Sequence, residues 1–291
     1  MLPPLSAILL SLAIPSAPLG RLLSENPDFL CPPARDLVTN VPVDAVVAGA
    51  CLNLTGVASN INLFAGSNLS TEAVAFRVQD GTGSSLEKLF FGSSQFNAPV
   101  QITGKPSTVK SMFDSTPTFN SSIQMDTSEV LYMEKMFSVD FPDVCSYNQP
   151  IDWMNTSSAR TFDTMFGGCL YFNQPVEHLD LSQATRTRSM FIRTRDFNQP
   201  VNFGDLRKVS DMRWMFGYLH QDSQFNQPVR FTTSNALTTI NGMFRNARRF
   251  NSAFHLTDSS GVVDMAHVFN GAVAFDQPLD LDTSSGKRRP K

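Results

Sequence analysis

Apolar and polar positions along the chain recur with a period near 25 residues. A Met-Phe pair or a close variant occurs eight times, and its second residues lie 23, 24, 29, 25, 25, 28 and 25 positions apart. We number the repeats 1 to 8 by this core phenylalanine. A period of this length is typical of architectures in which each unit packs on its neighbours. The core phenylalanines are Phe90, Phe113, Phe137, Phe166, Phe191, Phe216, Phe244 and Phe269.

Each pair is followed by a second aromatic residue and then by Asn or Asp, as at Phe172 and Asn173. The two aromatic positions are six residues apart in six of the eight repeats, and insertions at 138–146 and 217–224 lengthen repeats 3 and 6. Because stacking places like residues over like, we expect two buried aromatic ladders. The predicted ladder residues at the first position include Phe113, Phe137, Phe166, Phe191, Phe216 and Phe244.

An asparagine column follows the second aromatic column and includes Asn148, Asn173, Asn198 and Asn226. We predict that these side chains form an internal amide ladder, because stacked amides satisfy backbone hydrogen-bonding groups at a turn. The alternative is an exposed row of asparagines that binds a ligand.

The residues around the core phenylalanine indicate the local structure. Apolar or small residues recur four and one positions before it and three and six positions after it, as at Met212, Met215 and Ala247. This spacing is typical of one face of a short helix. The Phe-Asn-Gln-Pro-Val segments predict short strands that proline interrupts. The sequence therefore predicts an α/β repeat solenoid of about eight coils, each with one or two short strands and a short helix, in one elongated domain.

The chain divides into four predicted regions. Residues 83–286 hold the solenoid, 21–82 lack the motif and are expected to form a degenerate N-terminal cap, and 287–291 form a basic tail. Residues 1–20 are a candidate signal peptide, because Leu5–Ile14 is apolar, although no Lys or Arg precedes it; a buried strand or an inaccurate translation start are the alternatives. No apolar run reaches about 18 residues, so we expect no membrane-spanning segment.

Composition bears on packing and on the cellular compartment. The chain has 24 Phe against 4 Tyr and 2 Trp, and the two aromatic columns account for fifteen of the Phe. The cysteines lack the spacing of a zinc site; Cys31 and Cys51 could pair if the protein is exported, and reduced thiols are the alternative. Sequons that would accept glycans in a secretory setting occur at Asn53, Asn68, Asn120 and Asn155.

The net charge of −3 conceals two oppositely charged segments. Residues 110–183 hold three basic and ten acidic residues, whereas 184–249 hold eleven basic and four acidic ones. Because neighbouring repeats are neighbours in space, we expect Asp163 near Arg188, and Arg188 next to Arg213. The hypothesis is that a basic stretch binds an acidic protein, an anionic glycan or the acidic segment of another copy; a solvated surface is the alternative. The stretch comprises Arg186, Arg188, Arg193, Arg195, Arg207 and Arg213.

No residue pattern indicates catalysis. The four histidines are scattered, without an HxxxH or Cys/His cluster, and no GxSxG, P-loop or dinucleotide fingerprint occurs. We therefore predict that the protein is not an enzyme and uses no metal or cofactor. Nucleic acid is disfavoured as a partner, because the domain as a whole is not basic and its aromatic residues occupy core columns.

Two segments carry a resemblance to a known repeat family. Residues 125–137, MDTSEVLYMEKMF, and 165–176, MFGGCLYFNQPV, resemble the two halves of the BspA-type, leucine-rich-repeat-like unit found in mycoplasmal lipoproteins and microbial surface proteins. The resemblance covers about residues 83–286, although the Gln-Pro pair is absent after Phe119 and Phe250. It implies leucine-rich-repeat-like coils and binding or adhesion at the cell surface or outside the cell, without catalytic residues. The alternative is a cytoplasmic scaffold for protein–protein interaction.

Overall fold

The computed structural model describes residues 51–53, 76–79, 83, 85–217, 223–279 and 281. All of them belong to one compact unit of the chain, Ala34–Lys291. The predicted signal peptide at 1–20, the basic tail at 287–291 and most of the predicted cap at 21–82 lie outside the described residues. The sequon at Asn68 and the predicted partner of Cys51, Cys31, also lie outside them.

Short strands pair in parallel, each with a segment about one repeat period away along the chain. Their bounds are β1 Cys51–Asn53, β2 Phe76–Gln79, β3 Val100–Thr103, β4 Ile123–Gln124, β5 Val229–Phe231 and β6 Phe254–Leu256. Strands β1 to β4 form one sheet in chain order, and β5 pairs with β6 in a second. The register places Val100 beside Ile123 and Val229 beside Phe254, so the chain returns to the same place after each period.

A second row of pairing runs through the position five residues before each core phenylalanine. Single parallel bridges join these positions through all eight repeats, from Ser85 to Asp264. The core phenylalanines continue the row: the Phe137 N–H donates to the Met165 carbonyl at 3.0 Å, and the Phe166 N–H to the Met190 carbonyl at 3.0 Å. The backbone of each repeat is therefore held largely by the next repeat.

The prediction of an α/β solenoid is wrong, because the described residues contain short strands and turns but no helix. The residue two positions before the core phenylalanine is left-handed in every repeat, with φ between 52° and 61°. A right-handed helix needs φ near −60° at each residue, so none can pass through this position. These left-handed residues are Lys88, Ser111, Lys135, Thr164, Ser189, Trp214, Gly242 and His267.

Consecutive tight turns explain why the apolar spacing resembled a helix. In repeat 2 the Met112 N–H donates to the Val109 carbonyl, the Thr116 N–H to Phe113, and the Phe119 N–H to Thr116. Each turn advances three residues and returns the chain to the inner side of the coil. The resulting spacing, four and one positions before and three and six after, is close to the 3.6-residue period of a helix.

The aromatic side chains form two parallel ladders inside the stack. Core phenylalanines of adjacent repeats have ring centroids 5.2 to 5.8 Å apart, with planes within 12° of parallel. Within a repeat, the two aromatic rings lie closer, 4.1 Å apart for Phe166 and Phe172. The first ladder includes the predicted residues Phe113, Phe137, Phe166, Phe191, Phe216 and Phe244, all of them buried. Burying one such side chain stabilises the fold by roughly 1.5–3 kcal/mol before entropy losses.

The asparagine column forms a second, polar ladder at the turn after the second aromatic residue. The Oδ1 atom of Asn148 accepts the Asn173 N–H at 3.0 Å, and that of Asn173 accepts the Asn198 N–H at 3.0 Å. The pattern continues from Asn198 to Asn226 at 2.9 Å. The following glutamine donates to the same asparagine, as Gln199 does to Asn173 at 3.1 Å. Each amide therefore satisfies a backbone N–H of the next repeat.

A disulfide links repeats 3 and 4 across the core. Cys145 lies at the end of the insertion in repeat 3, and Cys169 lies three residues after the core phenylalanine of repeat 4. Both side chains are buried, and the bond closes a separation of 24 residues. The sequence did not predict this disulfide, because the pairing depends on where the insertion returns Cys145.

Candidate functional site

The outer side of the paired row forms a polar surface, which we call the charged face. It comprises the positions five and three residues before the core phenylalanine, while the residue between them, such as Met212, is buried. Side chains alternate along an extended segment, so both polar positions face outward. In repeats 4 to 6 the charged face contains Thr161 and Asp163, then Arg186 and Arg188, then Asp211 and Arg213.

The first half of the charged face is acidic and is bridged by one lysine. Lys110 Nζ lies 3.9 Å from a carboxylate oxygen of Glu87 and 3.9 Å from one of Glu134. Glu134 also accepts a short hydrogen bond from the Thr161 hydroxyl. Side chains from four successive repeats are thus joined, although exposed pairs of this kind contribute only about 0–1 kcal/mol each.

Asp163 marks the boundary between the acidic and basic halves. The side chain is 12% exposed, and its carboxylate lies 3.4 Å from Arg186 Nε and accepts the Arg188 backbone N–H at 3.0 Å. Burial raises the pKa of this carboxyl, while Arg186, the Arg188 N–H and the Arg188 charge act in the opposite direction. The expected neighbour Arg188 therefore binds Asp163 through its backbone, and the ion pair is made by Arg186.

Arg213 is held within its own repeat by Asp211. Its Nε lies 3.0 and 3.1 Å from the two carboxylate oxygens, and its Nη2 lies 2.7 Å from Oδ2. These hydrogen bonds raise the pKa of the guanidinium. Asp205 and Arg207 repeat the arrangement at a more exposed place, where Nη2 lies 2.6 Å from Oδ2 and the pKa of Asp205 is lowered to about 2.

Two further predicted arginines lie after the core phenylalanine of repeat 5 and contact aromatic rings. The Arg193 guanidinium lies 5.4 Å from the centre of the Phe141 ring, and Arg193 as a whole residue is 9% exposed. Arg195 lies 5.2 Å from the Tyr171 ring and pairs with Asp196 at 2.8 Å. Four of the six predicted arginines thus form ion pairs with the protein's own carboxylates, which reduces the basic surface that the sequence suggested.

Arg188 differs from the other arginines of the charged face. Its side chain is exposed, and within the described residues its guanidinium forms no ion pair. It lines a shallow, open cleft of about 330 Å³ between repeats 5 and 6. The cleft is lined by Arg188, Ser189, Ile192, Arg213 and Trp214. Arg188 and Arg213 therefore line the same cleft, and the indole of Trp214 forms its aromatic wall.

Sequence reasoning missed Trp214, which is fixed against repeat 7. A Cβ atom at Gly242 would lie 3.0 Å from the indole, so glycine makes room for the ring. The Arg245 guanidinium lies 4.9 Å from the indole centre. The available signal was positional: Trp214 occupies the left-handed column in which other repeats have Ser, Thr, Lys, Gly or His.

The described part of the chain contains neither a candidate metal centre nor a candidate membrane-spanning helix. There, no three His, Cys, Asp or Glu side chains lie together in a group that could hold a metal ion. No helix in the same part is long and apolar enough to cross a bilayer.

The stacked rows define a repeat protein whose units of about 25 residues pair side by side. The family model described as "Mycoplasma protein of unknown function, DUF285" matches residues 63–141, 84–203, 109–229 and 215–287. These overlapping matches cover most of the chain, which therefore belongs to that family. Searches of curated proteins and of solved structures find no match.

Proposed function

We propose that the chain is a non-enzymatic binding or adhesion protein of the cell surface or the extracellular space, and that its charged face binds an anionic protein or glycan. The observation that supports this best is the unequal pairing of charges on that face. Lys110 is bridged by two carboxylates, whereas Arg188 is exposed beside Arg213 without an ion pair in the described residues. An anionic ligand would complete the pairing at the basic end.

The disulfide supports a location outside the cytoplasm. Disulfides form and persist mainly in oxidising compartments, and Cys145 and Cys169 are both buried where reductants have little access. The BspA-type resemblance of 125–137 and 165–176 favours the same location, because that family is known from surface proteins. A cytoplasmic interaction scaffold is the competing proposal.

Localisation of the tagged full chain, with and without residues 1–20, tests the compartment. We expect the full chain at the surface or in the medium, and retention inside the cell when residues 1–20 are removed. Thiol alkylation before and after reduction should show Cys145 and Cys169 protected until reduction. Cytosolic residence of both forms, with freely alkylated cysteines, would favour the scaffold. A glycosidase mobility shift would independently report export in a glycosylating host.

Retention on heparin and on immobilised polyglutamate, at low and moderate salt, tests the anionic ligand. We expect retention that weakens with salt, because the attraction is electrostatic. Arg188→Glu combined with Arg213→Glu should abolish retention, whereas Arg207→Glu, the same change at an arginine outside the charged face, should reduce it little. Equal retention of all proteins would contradict the proposal. Sedimentation of the unmodified protein at low salt separates ligand binding from self-association through the acidic and basic segments.

A further inference from the structure

We infer that the cleft between repeats 5 and 6 binds an acidic saccharide, a sugar unit bearing a carboxylate or a sulfate. The inference rests on the proposed binding function and names the ligand class of one site on the charged face. It depends on the juxtaposition of Arg188, which forms no ion pair in the described part of the chain, with Trp214 in a cleft of about 330 Å³. That volume lies near the lower end of small-ligand sites, which suits one or two sugar rings.

The charges of the cleft favour an anion with a fixed position. Arg213 is oriented by its bidentate contact with Asp211, with Nη2 at 2.7 Å from Oδ2. The charge of Arg188 acts on Asp163, but its guanidinium makes no hydrogen bond or ion pair within the described residues, so its donors can reach a carboxylate or sulfate. An anion bound here would also offset the repulsion between the two neighbouring arginines.

The aromatic wall favours a sugar over a purely ionic ligand. Trp214 packs against Gly242 and Arg245 of repeat 7 and lines the cleft together with residues of repeat 5. The indole therefore does not need to reorient when a ligand binds. An indole offers a large apolar surface to the C–H groups of a pyranose ring, at little cost in conformational entropy. Ser189 adds a hydroxyl that can donate to or accept from sugar hydroxyls.

The backbone of the cleft disfavours an extended peptide. Strand addition needs an unpaired strand edge. Here the positions of Arg186 and Asp211 are each bridged on both sides, Arg186 by Thr161 and Asp211, and Asp211 by Arg186 and Thr239. A peptide would therefore have to bind through side chains alone, whereas a saccharide needs no backbone pairing.

The test uses the full chain carrying Trp153→Phe, which leaves Trp214 as the only tryptophan and therefore the sole tryptophan reporter. Heparin tetrasaccharide, an unsulfated uronic-acid tetrasaccharide, a neutral glucose oligomer and a short polyglutamate are titrated by fluorescence and calorimetry. We expect the two acidic saccharides to bind and to change Trp214 fluorescence, and the neutral oligomer not to bind. The two acidic probes distinguish sulfate from carboxylate as the preferred group.

Matched variants locate the site. Arg188→Gln should weaken acidic saccharide binding at least tenfold, and Trp214→Ser, which installs the residue of the same column in repeat 5, should do the same by calorimetry. The controls are Arg207→Gln and Lys135→Ser, the latter at the equivalent column of repeat 3; both should stay within twofold. Circular dichroism and urea unfolding confirm that each variant folds.

Two outcomes overturn the inference in different ways. If polyglutamate binds as tightly as heparin and loses affinity in Arg188→Gln but not in Trp214→Ser, the cleft serves acidic peptides, and the proposed binding function stands. If no acidic probe binds, or the four variants bind alike, the cleft is not a saccharide site. If the unmodified chain is also not retained on heparin, both the proposed binding function and the inferred saccharide site are wrong.

Discussion

The inside and the outside of the stack change very differently from one repeat to the next. Every repeat has phenylalanine at the core position, and each ring contacts the rings of its neighbours. Three residues earlier, on the charged face, the residue is Glu, Lys, Glu, Asp, Arg, Arg, Asn and Ala in successive repeats. The interior columns therefore maintain the fold, and the outer columns are where one repeat can differ from another in what it binds.

The sharpest way to break the interior is to remove one ring from the middle of the ladder. Phe166 is fully buried, with ring centroids 5.6 Å from Phe137, 5.6 Å from Phe191 and 4.1 Å from Phe172. We expect Phe166→Ala to lower the free energy of unfolding by about 3–5 kcal/mol, because a cavity replaces contacts in two adjacent repeats. Urea unfolding followed by circular dichroism measures it.

The outer face supplies the matched control for that change. Tyr132 lies on the charged face and is 40% exposed, so Tyr132→Ala should cost less than about 1 kcal/mol. Losses of similar size in the two variants would mean that the aromatic ladder is not what holds the stack together.

The disulfide joins two interior positions and should rank next in effect. Reducing a bond that closes a 24-residue separation is expected to lower the free energy of unfolding by about 3 kcal/mol in the chain-entropy account. Urea unfolding with and without a phosphine reductant measures the loss. In the Cys145→Ala, Cys169→Ala double variant the reductant should have no such effect. If the reductant does not change the free energy of unfolding of the unmodified protein, these thiols are not paired.

The asparagine ladder can be broken at one rung without opening a large cavity. Asn173→Ala removes the acceptor of the Asn198 N–H and of Gln199 Nε2, and we expect a loss of about 1–3 kcal/mol in urea unfolding. Asn173→Asp keeps an acceptor oxygen in place of Oδ1, and repeat 8 already has Asp276 in this column. We expect Asn173→Asp to lower the free energy of unfolding by less than half as much as Asn173→Ala does. Equal losses would assign the effect to packing instead of hydrogen bonding.

The inside and the outside of the stack could be predicted from the sequence to different extents. The period and the aromatic columns are explicit in the residues, so the existence of a repeat stack could be foreseen. The helix could not be rejected, because three-residue turns give nearly helical spacing, and because the left-handed positions hold residues such as Lys135 and Thr164 in place of glycine. Left-handed backbone at such residues is determined by pairing with the neighbouring repeat, which leaves no local signature.

The charged face was predictable in composition but not in its contacts. The sequence correctly placed Arg188 and Arg213 in adjacent repeats, yet the pairs that form depend on the side-chain positions within each coil. Arg186 pairs with Asp163 across repeats, whereas Arg213 pairs with Asp211 inside one. The cleft depends on Trp214 as well, and its orientation over Gly242 is a property of the packed neighbours.

The smallest effects expected are pH-dependent, and they have opposite signs inside and outside the stack. Asp114 is 4% exposed, and burial raises the pKa of its carboxyl although Lys135 acts against this. Folding then favours the protonated form, so the ionised carboxylate destabilises the fold at neutral pH, and this effect disappears as pH falls below the unfolded value. Asp114→Asn should therefore raise the free energy of unfolding at pH 7.

Asp205 on the outside should behave in the reverse manner. Hydrogen bonds from Arg207 lower its pKa to about 2, so its contribution to stability is present above the unfolded pKa and is lost as pH falls toward 2. Urea unfolding of both variants and the unmodified chain at pH 7 and pH 4 compares them. We expect the gain from Asp114→Asn to shrink at pH 4, and Asp205→Asn to be slightly less stable than the unmodified chain at pH 7. An equal gain from Asp114→Asn at pH 7 and at pH 4 would show that burial does not destabilise the ionised carboxylate. The inside and the outside of the stack would then differ in packing only.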